Sequence, residues 1–196
     1  MVQTPTPKLV VAFFDGQNLF HSAKEAFGYS YPNYDAACLA EKVCLLKDWK
    51  LSQVRFYTGI PDTKDDAFWH HFWTSKARRM RNQGIHVFMR PLRYRNKTVK
   101  LPDGREHTFL IGEEKGIDVR IAIDVIRMAH RKEYDVALIF SQDQDLSEVA
   151  EEIRTIAQEQ GCWIKIACAF PSSPASRNKR GINRTDWIHI DRNTYD

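Results

Sequence analysis

Short apolar runs recur along the chain at intervals that suit buried strands alternating with helices. Five runs have the length and residue types of strands, at 9–14, 54–59, 85–90, 136–141 and 163–170. Longer segments with helical spacing of apolar positions lie near 17–28, 35–48, 63–82, 115–131 and 145–160. This alternation predicts a Rossmann-like α/β fold, a three-layer sandwich with a mostly parallel central sheet.

Two segments depart from that alternation. Residues 92–111 have period-two character around Pro102-Asp103-Gly104, which predicts an inserted β-hairpin. Residues 171–185 are polar and rich in Ser, Asn and Arg, which predicts a basic C-terminal loop ahead of an edge strand in WIHI. The length of 196 residues suits one domain, so we predict a flexible tail over 1–8 and a single domain over 9–196.

Composition and cysteine placement indicate a folded protein of a reducing compartment. The chain is 43% hydrophobic and 12% aromatic, well away from the profile of disordered proteins. Cys38, Cys44, Cys162 and Cys168 form no CxxC pair and lie in apolar segments, which predicts buried free thiols and no zinc site. No stretch approaches the roughly 18 apolar residues of a membrane span, so we expect a cytoplasmic protein without membrane contact.

Acidic residues follow two of the predicted strands and begin one of the helices. Asp15 ends the first strand, and Asp143 and Asp145 follow the fourth. Asp118 shares the apolar face of the helix near 115–131, so it is expected to point toward the sheet. Since ligands bind outside the carboxyl ends of parallel strands, all four acids are expected at one rim of the sheet.

Each acid also has a structural interpretation. The Asp-Gly pair at 15–16 is a common turn dipeptide. Asp145 with Glu148 fits a capping box for the next helix, although that leaves Asp143 unexplained. The helix dipole would favour Asp118 by less than about 1 kcal/mol. That interpretation requires a solvent-facing position, whereas the apolar face predicts that Asp118 points inward. Asp124 lies about 120° around the helix from Asp118 and is better interpreted as a solvated or salt-bridged acid.

Four carboxylates at one rim would repel each other and raise each other's pKa, a cost that a bound cation removes. Oxygen ligands without supporting His or Cys favour Mg²⁺ or Mn²⁺ over zinc. These ions polarise phosphoryl oxygens and activate water. The rim therefore predicts a metal centre suited to phosphodiester hydrolysis.

Three motifs resemble those of the NYN family, a branch of the PIN-like nuclease superfamily that includes LabA-like proteins. They are FFDGQNL, EKGIDVRIAIDV and IFSQDQDLSEV, and the resemblance runs from residue 9 to about 170. It implies a PIN-like sandwich, a divalent-metal acidic site and ribonuclease activity. Many relatives have glycine where this chain has Gln142, and some have proline where it has Glu148, but the departure leaves every acid in place.

The resemblance also implies the roles of individual side chains. Asp15, Asp118, Asp143 and Asp145 would be catalytic metal ligands, joined by three polar catalytic residues: Asn18, Lys115 and Ser141. Asn18 would orient Asp15 or the substrate, and Lys115 would hold the neighbouring acids or a phosphate. Ser141 would form a hydrogen bond at the end of its strand.

The positive charge is concentrated in two places, although the net charge is only +4. Residues 76–102 contain nine Lys or Arg and no Asp or Glu. The predicted nucleic-acid contacts are Arg90, Arg93, Tyr94, Arg95, Lys97 and Lys100 here, and Arg177, Lys179, Arg180 and Arg184 in the C-terminal loop. Tyr94 lies among Arg93 and Arg95, a mixture that suits phosphate contacts and base stacking on single strands, but charges on a hairpin also prevent edge-to-edge aggregation.

The leading hypothesis is a metal-dependent endoribonuclease that acts on single-stranded or structured RNA with Mg²⁺ or Mn²⁺. A catalytically idle RNA-binding or regulatory module is the alternative from another functional class. A DNA-directed nuclease is the alternative in which the substrate differs. The sequence leaves homo-oligomerisation and protein partners open.

Overall fold

The computed structural model describes residues 4–196, in which the alternating apolar runs form strands and the amphipathic segments form helices. The strands are β1 (Lys8–Asp15), β2 (Trp49–Ile60), β3 (His86–Pro91), β4 (Arg93–Lys100), β5 (Glu106–Glu113), β6 (Val136–Phe140), β7 (Lys165–Pro171) and β8 (Asp186–Ile190). The helices are α1 (Gly16–Phe27), α2 (Ala36–Leu46), α3 (Ala67–Asn82), α4 (Ile117–His130), α5 (Ser147–Glu159) and α6 (Arg192–Tyr195), with a 3₁₀ turn at Gln144–Leu146.

Six strands form one parallel sheet in the order β3-β2-β1-β6-β7-β8. The chain builds outward from β1 in one direction through β2 and β3, and in the other through β6, β7 and β8. The connection therefore reverses direction between β1 and β6. In sheets of this kind the crevice at that switch point is where ligands bind.

Side chains of alternate residues in the strands face two separate cores. Val10, Ala12 and Phe14 of β1 pack with α1, α2 and α3 on one side of the sheet. Val11 and Phe13 pack with α4 and α5 on the other side. Because both faces are covered, the strands read as continuous apolar runs, and the predicted three-layer α/β sandwich is confirmed.

The hairpin and the edge strand are also present as predicted. β4 and β5 form a separate antiparallel ribbon, with Gly104 at φ 82° in the turn that connects them. β8 pairs with β7 at one edge of the sheet. Residues 1–3 of the predicted tail lie outside the described residues, and β1 begins at Lys8.

The cysteine prediction is only partly right. All four thiols are free. Cys44 and Cys168 are buried, but Cys38 is exposed and Cys162 is half-buried. The error at Cys38 arises because a helix of mostly apolar sequence still turns one face to solvent. None of the helices in residues 4–196 has the length and apolar character that a membrane-spanning helix requires.

Candidate active site

The candidate site begins where β1 and β6 end side by side. Phe14 pairs with Phe140 in the sheet, so the next residues, Asp15 and Ser141, emerge together at the switch point. Asp15 is only 4% exposed. The Ser141 hydroxyl donates to Asp15 Oδ2 at 3.3 Å and accepts the Asp143 N–H at 3.1 Å. Ser141 therefore connects two of the predicted acids.

Asp15 is also the N-cap of α1, because its Oδ1 accepts the backbone N–H of Asn18 at 3.1 Å. The Asn18 side chain does not contact Asp15 through its amide. Its Oδ1 accepts the backbone N–H of Gln142 at 2.9 Å, which ties α1 to the segment after β6. Asn18 thus fixes Asp15 through its main chain and the neighbouring loop through its side chain.

The expected capping box at Asp145 and Glu148 is wrong. Asp143 is the residue that caps, since its Oδ1 accepts the Asp145 N–H at 3.0 Å at the start of the 3₁₀ turn. α5 starts at Ser147 without a side-chain cap. The 3₁₀ turn inserts between the acids and α5, which shifts the start of the helix by two residues and frees Asp145 from the cap.

One polar cavity brings the predicted acids together. It has a volume of about 270 Å³ and is lined by Asp15, Glu114, Lys115, Gly116, Ile117, Asp118, Asp143 and Asp145. Asp118 is half-buried at the start of α4, as expected from its place on the apolar face, whereas Asp145 is exposed. The four predicted acids and Lys115 therefore share one cavity. Asn18 and Ser141 position the segments that line it through their hydrogen bonds.

Glu114 is a fifth carboxylate of this cavity, and the sequence argument did not include it among the site residues. Its carboxylate accepts the backbone N–H of Gly59 at the end of β2. A Cβ atom on Gly59 would lie 2.5 Å from Glu114 Oε2, so only glycine allows this approach. The available signal was the position of Glu114 four residues before Asp118 in the EKGID motif.

Two of the acids, Asp15 and Glu114, have a raised pKa. Burial raises the pKa of Asp15 to about 6, and the charges of Asp143 and Asp118 act in the same direction. Burial and the charge of Asp15 raise the pKa of Glu114 to about 7. Lys115 does not relieve the repulsion among these carboxylates, because its Nζ lies 3.5 Å from Oε2 of Glu113, a residue that is not part of the cavity lining.

The donor set of the cavity fits a hard divalent cation. It offers five carboxylates and one cationic side chain, which is already paired. Across residues 4–196, however, no three carboxylate, imidazole or thiol side chains stand close enough to form a finished coordination sphere. Binding an ion here would require side-chain rotation, which half-buried Asp118 and exposed Asp145 allow.

Asp124 serves a different purpose. It is fully buried, so the expectation of a solvated acid is wrong, whereas the expectation of salt bridges is confirmed. Its carboxylate lies 3.1 Å from Arg55, 3.0 Å from Arg120 and 2.8 Å from Arg127, and it accepts the Tyr57 hydroxyl at 2.9 Å. Burial alone would raise the pKa of Asp124, but the Tyr57 hydroxyl and the guanidinium groups outweigh it and lower the pKa. This network fastens α4 to β2.

Most basic residues of the ribbon share one face. In β4, alternation puts Arg93, Arg95 and Lys97 on one face and Tyr94 and Lys100 on the other. Lys97 is paired with Phe109 across the ribbon, and the Phe109 ring stacks on that of His107 with centroids 6.0 Å apart. Arg95 pairs with Glu113, which partly compensates its charge.

Two predicted nucleic-acid contacts have structural partners instead. The Tyr94 hydroxyl accepts the Asp62 N–H at 2.7 Å and donates to Asp65 Oδ2 at 3.2 Å. Tyr94 is therefore a partly buried anchor at the base of the ribbon, and its contact with nucleic acid stays a prediction. Arg90 donates to the carbonyls of Lys115 at 3.2 Å and Gly116 at 3.4 Å, so it supports the acidic segment from behind.

The C-terminal basic loop lies against the site. The Gln142 side chain accepts the Ser22 hydroxyl at 2.8 Å and donates to the Arg180 carbonyl at 2.9 Å. The Gln144 side chain donates to the Gly181 carbonyl at 3.0 Å. Gln142, where many relatives have glycine, therefore fastens this loop beside the acids. The side chains of three predicted contacts in this loop, Arg177, Lys179 and Arg180, are exposed, whereas Arg184 pairs with Glu151 at 2.9 Å.

Comparison with solved structures finds chains with a similar fold. The crystal structure of a Vibrio parahaemolyticus protein of unknown function, VPA0982, is similar with a TM-score of 0.56 and 21% identity, over 98% of each chain. A Giardia lamblia ribokinase has a TM-score of only 0.38 at 11% identity, over 88% of this chain and 53% of its own. No curated protein matched the chain.

The NYN domain model matches residues 10–184, which include β1, the acidic segment before α4, the turn after β6 and the C-terminal loop. This range is most of the chain and contains every acid of the cavity. The NYN family is part of the PIN-like superfamily, whose domains are nuclease-like and generally use divalent metals. The protein therefore belongs to the NYN domain family of the PIN-like superfamily.

Proposed function

We propose that this protein is a metal-dependent endoribonuclease whose centre is the cavity at the switch point. The observation that carries the proposal is the set of five carboxylates from three chain segments that line one polar cavity, whose single cationic side chain, Lys115, pairs with Glu113 and not with these acids. Structural acids are normally paired or solvated, as Asp124 is paired with three arginines. Raised pKa values in a cleft are characteristic of functional sites.

Asp15, Glu114, Asp118, Asp143 and Asp145 are the residues that would hold Mg²⁺ or Mn²⁺. When bound, such an ion activates water and polarises the phosphoryl oxygens of the substrate. Asp15 is the most firmly fixed of the five, because two hydrogen bonds hold both of its oxygens. Its orientation therefore sets the position of the centre relative to the ends of β1 and β6.

The remaining polar side chains of the site would bind and orient the substrate. Lys115 is 58% exposed and lies at the cavity lining, so its ammonium group can exchange Glu113 for a substrate phosphate. Arg177, Lys179 and Arg180 stand beside the acids because Gln142 fastens their loop. Together these cations offset the negative potential that the acids present to an RNA strand.

The cationic face of the ribbon would extend this contact. Arg93, Arg95 and Lys97 share that face with Phe109 and His107, a combination that suits phosphate contacts and base stacking on single strands. The preference for RNA over DNA follows from the family alone, since recognition of the 2′-hydroxyl depends on contacts with bound nucleic acid. We therefore name RNA as the substrate and treat DNA as the comparison.

Cleavage assays test this proposal directly. The parent protein, Asp15→Asn, Asp143→Asn and the control Glu152→Gln are incubated with labelled RNA and DNA of the same sequences, with Mg²⁺, with Mn²⁺ or with EDTA. Glu152 is exposed on α5 outside the cavity lining, so its variant should match the parent. We expect metal-dependent cleavage of RNA that falls at least 100-fold in both aspartate variants. Full activity in both variants, or activity in EDTA, would reject the proposed chemistry.

A catalytically idle RNA-binding module is the second candidate. Two observations favour it: Asp143 is already engaged as a cap, and no three donors converge within residues 4–196. An idle module would bind RNA with equal affinity with and without metal and would show no turnover with any divalent ion. The same set of proteins and substrates therefore separates the two candidates.

A further inference from the structure

A second cavity of about 380 Å³ lies between α1 and α3, beside the acidic one. The α1 residues Gln17, Phe20, His21 and Lys24 form one wall, and Trp69 and Trp73 of α3 form the opposite wall. The volume is within the range of small-ligand pockets, about 300–1,000 Å³. Nothing in the proposed chemistry uses this cavity.

The backbone of Gly59 separates the two cavities. Its N–H donates to Glu114, which lines the acidic cavity, and its carbonyl accepts Gln17 Nε2 at 3.4 Å, which lines the second cavity. A Cβ atom on Gly59 would lie 2.5 Å from Glu114 Oε2 and 2.8 Å from Leu92 Cδ2. Leu92 also lines the second cavity. The two cavities are therefore neighbours at the end of β2, close enough for consecutive parts of one ligand.

The lining of the second cavity suits a flat ring with polar edges. The rings of Phe20 and Trp69 lie 6.0 Å apart, and the ring of His21 lies 5.5 Å from that of Phe20. Among residues 4–196, the indole N–H of half-buried Trp69 and the ring of exposed His21 have no protein partner and remain open to solvent, so both are accessible to a ligand. Burial, and then the charge of Lys24, lowers the pKa of His21. A neutral imidazole has one donor and one acceptor, as a base edge requires.

One cation of the cavity lining is available to a phosphate. The carboxylates of Asp65 and Asp66 also line the cavity, but each accepts a hydrogen bond within the protein, one from the Tyr94 hydroxyl at 3.2 Å and the other from the backbone N–H of Trp69 at 2.9 Å. Lys24 forms no ion pair with any residue that the structure describes, so its charge is available to a phosphate.

We propose that this cavity binds the base of the nucleotide next to the phosphate held at the acidic cavity. The base stacks on Trp69, whose ring Phe20 supports from the core, and His21 contacts the edge of the base. Lys24 meets the following phosphate. The inference rests on the proposed nuclease function, because it assumes that a phosphate of the substrate occupies the acidic cavity. It adds a base-selective subsite to that function.

The test uses short single-stranded RNAs in which one nucleotide at a time is abasic around the cleavage position. The proteins are the parent, Trp69→Ala, Trp69→Leu, Trp69→Phe and the control Phe68→Ala, whose side chain is on the same helix, outside the cavity lining and 57% exposed. Trp69→Leu keeps apolar volume without a ring in case Trp69→Ala does not fold. A second measurement compares the binding of intact RNA and of a base-free ribose-phosphate oligomer by fluorescence anisotropy, in an Asp143→Asn background.

We expect one position next to the cut at which loss of the base lowers kcat/KM about tenfold, as loss of one aromatic stack does. That ratio should fall to about one in Trp69→Ala and Trp69→Leu, but persist in Trp69→Phe and Phe68→Ala. An unchanged ratio in the ring-less variants, or no sensitive position, would overturn the inference. If the parent cleaves nothing, the proposed function fails, and the anisotropy experiment alone tests the base subsite. A preference for intact RNA over the base-free oligomer that disappears without the Trp69 ring supports the subsite. An equal preference in all variants overturns it.

Discussion

Replacing Asp15 by Asn should stabilise the metal-free protein, although Asp15 is buried at the end of a central strand. Burial and nearby acids raise the pKa of Asp15 from 3.8 to about 6, so its charge is unfavourable in the folded state at neutral pH. Asparagine removes that charge and keeps the shape of the side chain. Its Oδ1 can still accept the Asn18 N–H, and its amide can donate to Ser141 Oγ.

The magnitude follows from linkage between protonation and folding. At about 1.36 kcal/mol per pH unit, a pKa of about 6 against 3.8 corresponds to roughly 3 kcal/mol. Between about pH 4 and pH 6 the folded state holds a proton that the unfolded state has lost, so stability falls as pH rises through this window. The cost is fully present at pH 7.5 and absent below about pH 4. Glu114, whose pKa rises to about 7, extends this loss of stability to higher pH.

The assay is thermal unfolding in EDTA at pH 7.5 and at pH 5. At pH 7.5 we expect Asp15→Asn to unfold about 6–12 °C above the parent, since 1 kcal/mol shifts the melting temperature by about 2–4 °C in a chain of this size. At pH 5 the difference should shrink because the parent then gains a proton. Glu152→Gln is the control, because Glu152 is exposed and forms no ion pair among residues 4–196.

On the proposed function, manganese ions should reverse the order at a high enough concentration. At 1,000 times the dissociation constant, an ion that binds only the folded parent would stabilise it by about 4.1 kcal/mol, more than the roughly 3 kcal/mol cost of the buried charge, whereas Asp15→Asn would gain less. A lower melting temperature for Asp15→Asn in EDTA at pH 7.5 would refute the argument, because it would mean that the carboxylate stabilises the fold without a cation.

Three further predictions concern other parts of the molecule. Asp124→Asn should destabilise the fold by about 3–5 kcal/mol at pH 7.5, measured by urea unfolding, because it leaves buried guanidinium groups without their counterion; a variant as stable as the parent would contradict this account. Gln142→Ala should release the C-terminal loop and accelerate tryptic cleavage within 177–184, with little change in melting temperature, and an unchanged cleavage rate would contradict the role assigned to this side chain. Replacing Arg93 and Lys97 together by Gln should lower the salt dependence of RNA binding by about 2 in log-log slope, whereas Lys100→Gln on the opposite face should change it less, and equal effects per residue would exclude a one-faced contact.

Much of the architecture could be predicted from the chain because both faces of the sheet are buried. Val10 to Phe14 are all buried, so β1 reads as a continuous apolar run, and its end at Asp15 marks the edge of the sheet. The hairpin was predictable for a different reason, since its Pro-Asp-Gly turn is a local signal. The convergence of four acids followed from the rule about carboxyl ends of parallel strands.

The features that were missed depend on contacts between distant segments. Glu114 joins the site because Gly59, 55 residues away, lets its backbone approach the carboxylate. The burial of Asp124 depends on Arg55, on a strand 69 residues earlier. Tyr94 looked like a stacking ring, but the partner of its hydroxyl is the loop before α3. Periodicity describes one element at a time, so it cannot reveal such partners.

The ribbon of β4 and β5 is inserted between β3 and α4 without interrupting the order of the six strands. Two strands alone are marginally stable in water, so the ribbon depends on its base, where Leu92 and Tyr94 pack against Gly112. The part beyond this base carries the cationic face but none of the acids that line the cavity. On the proposed function, a different hairpin grafted at this position should therefore change which nucleic acid is bound without removing the acidic cavity.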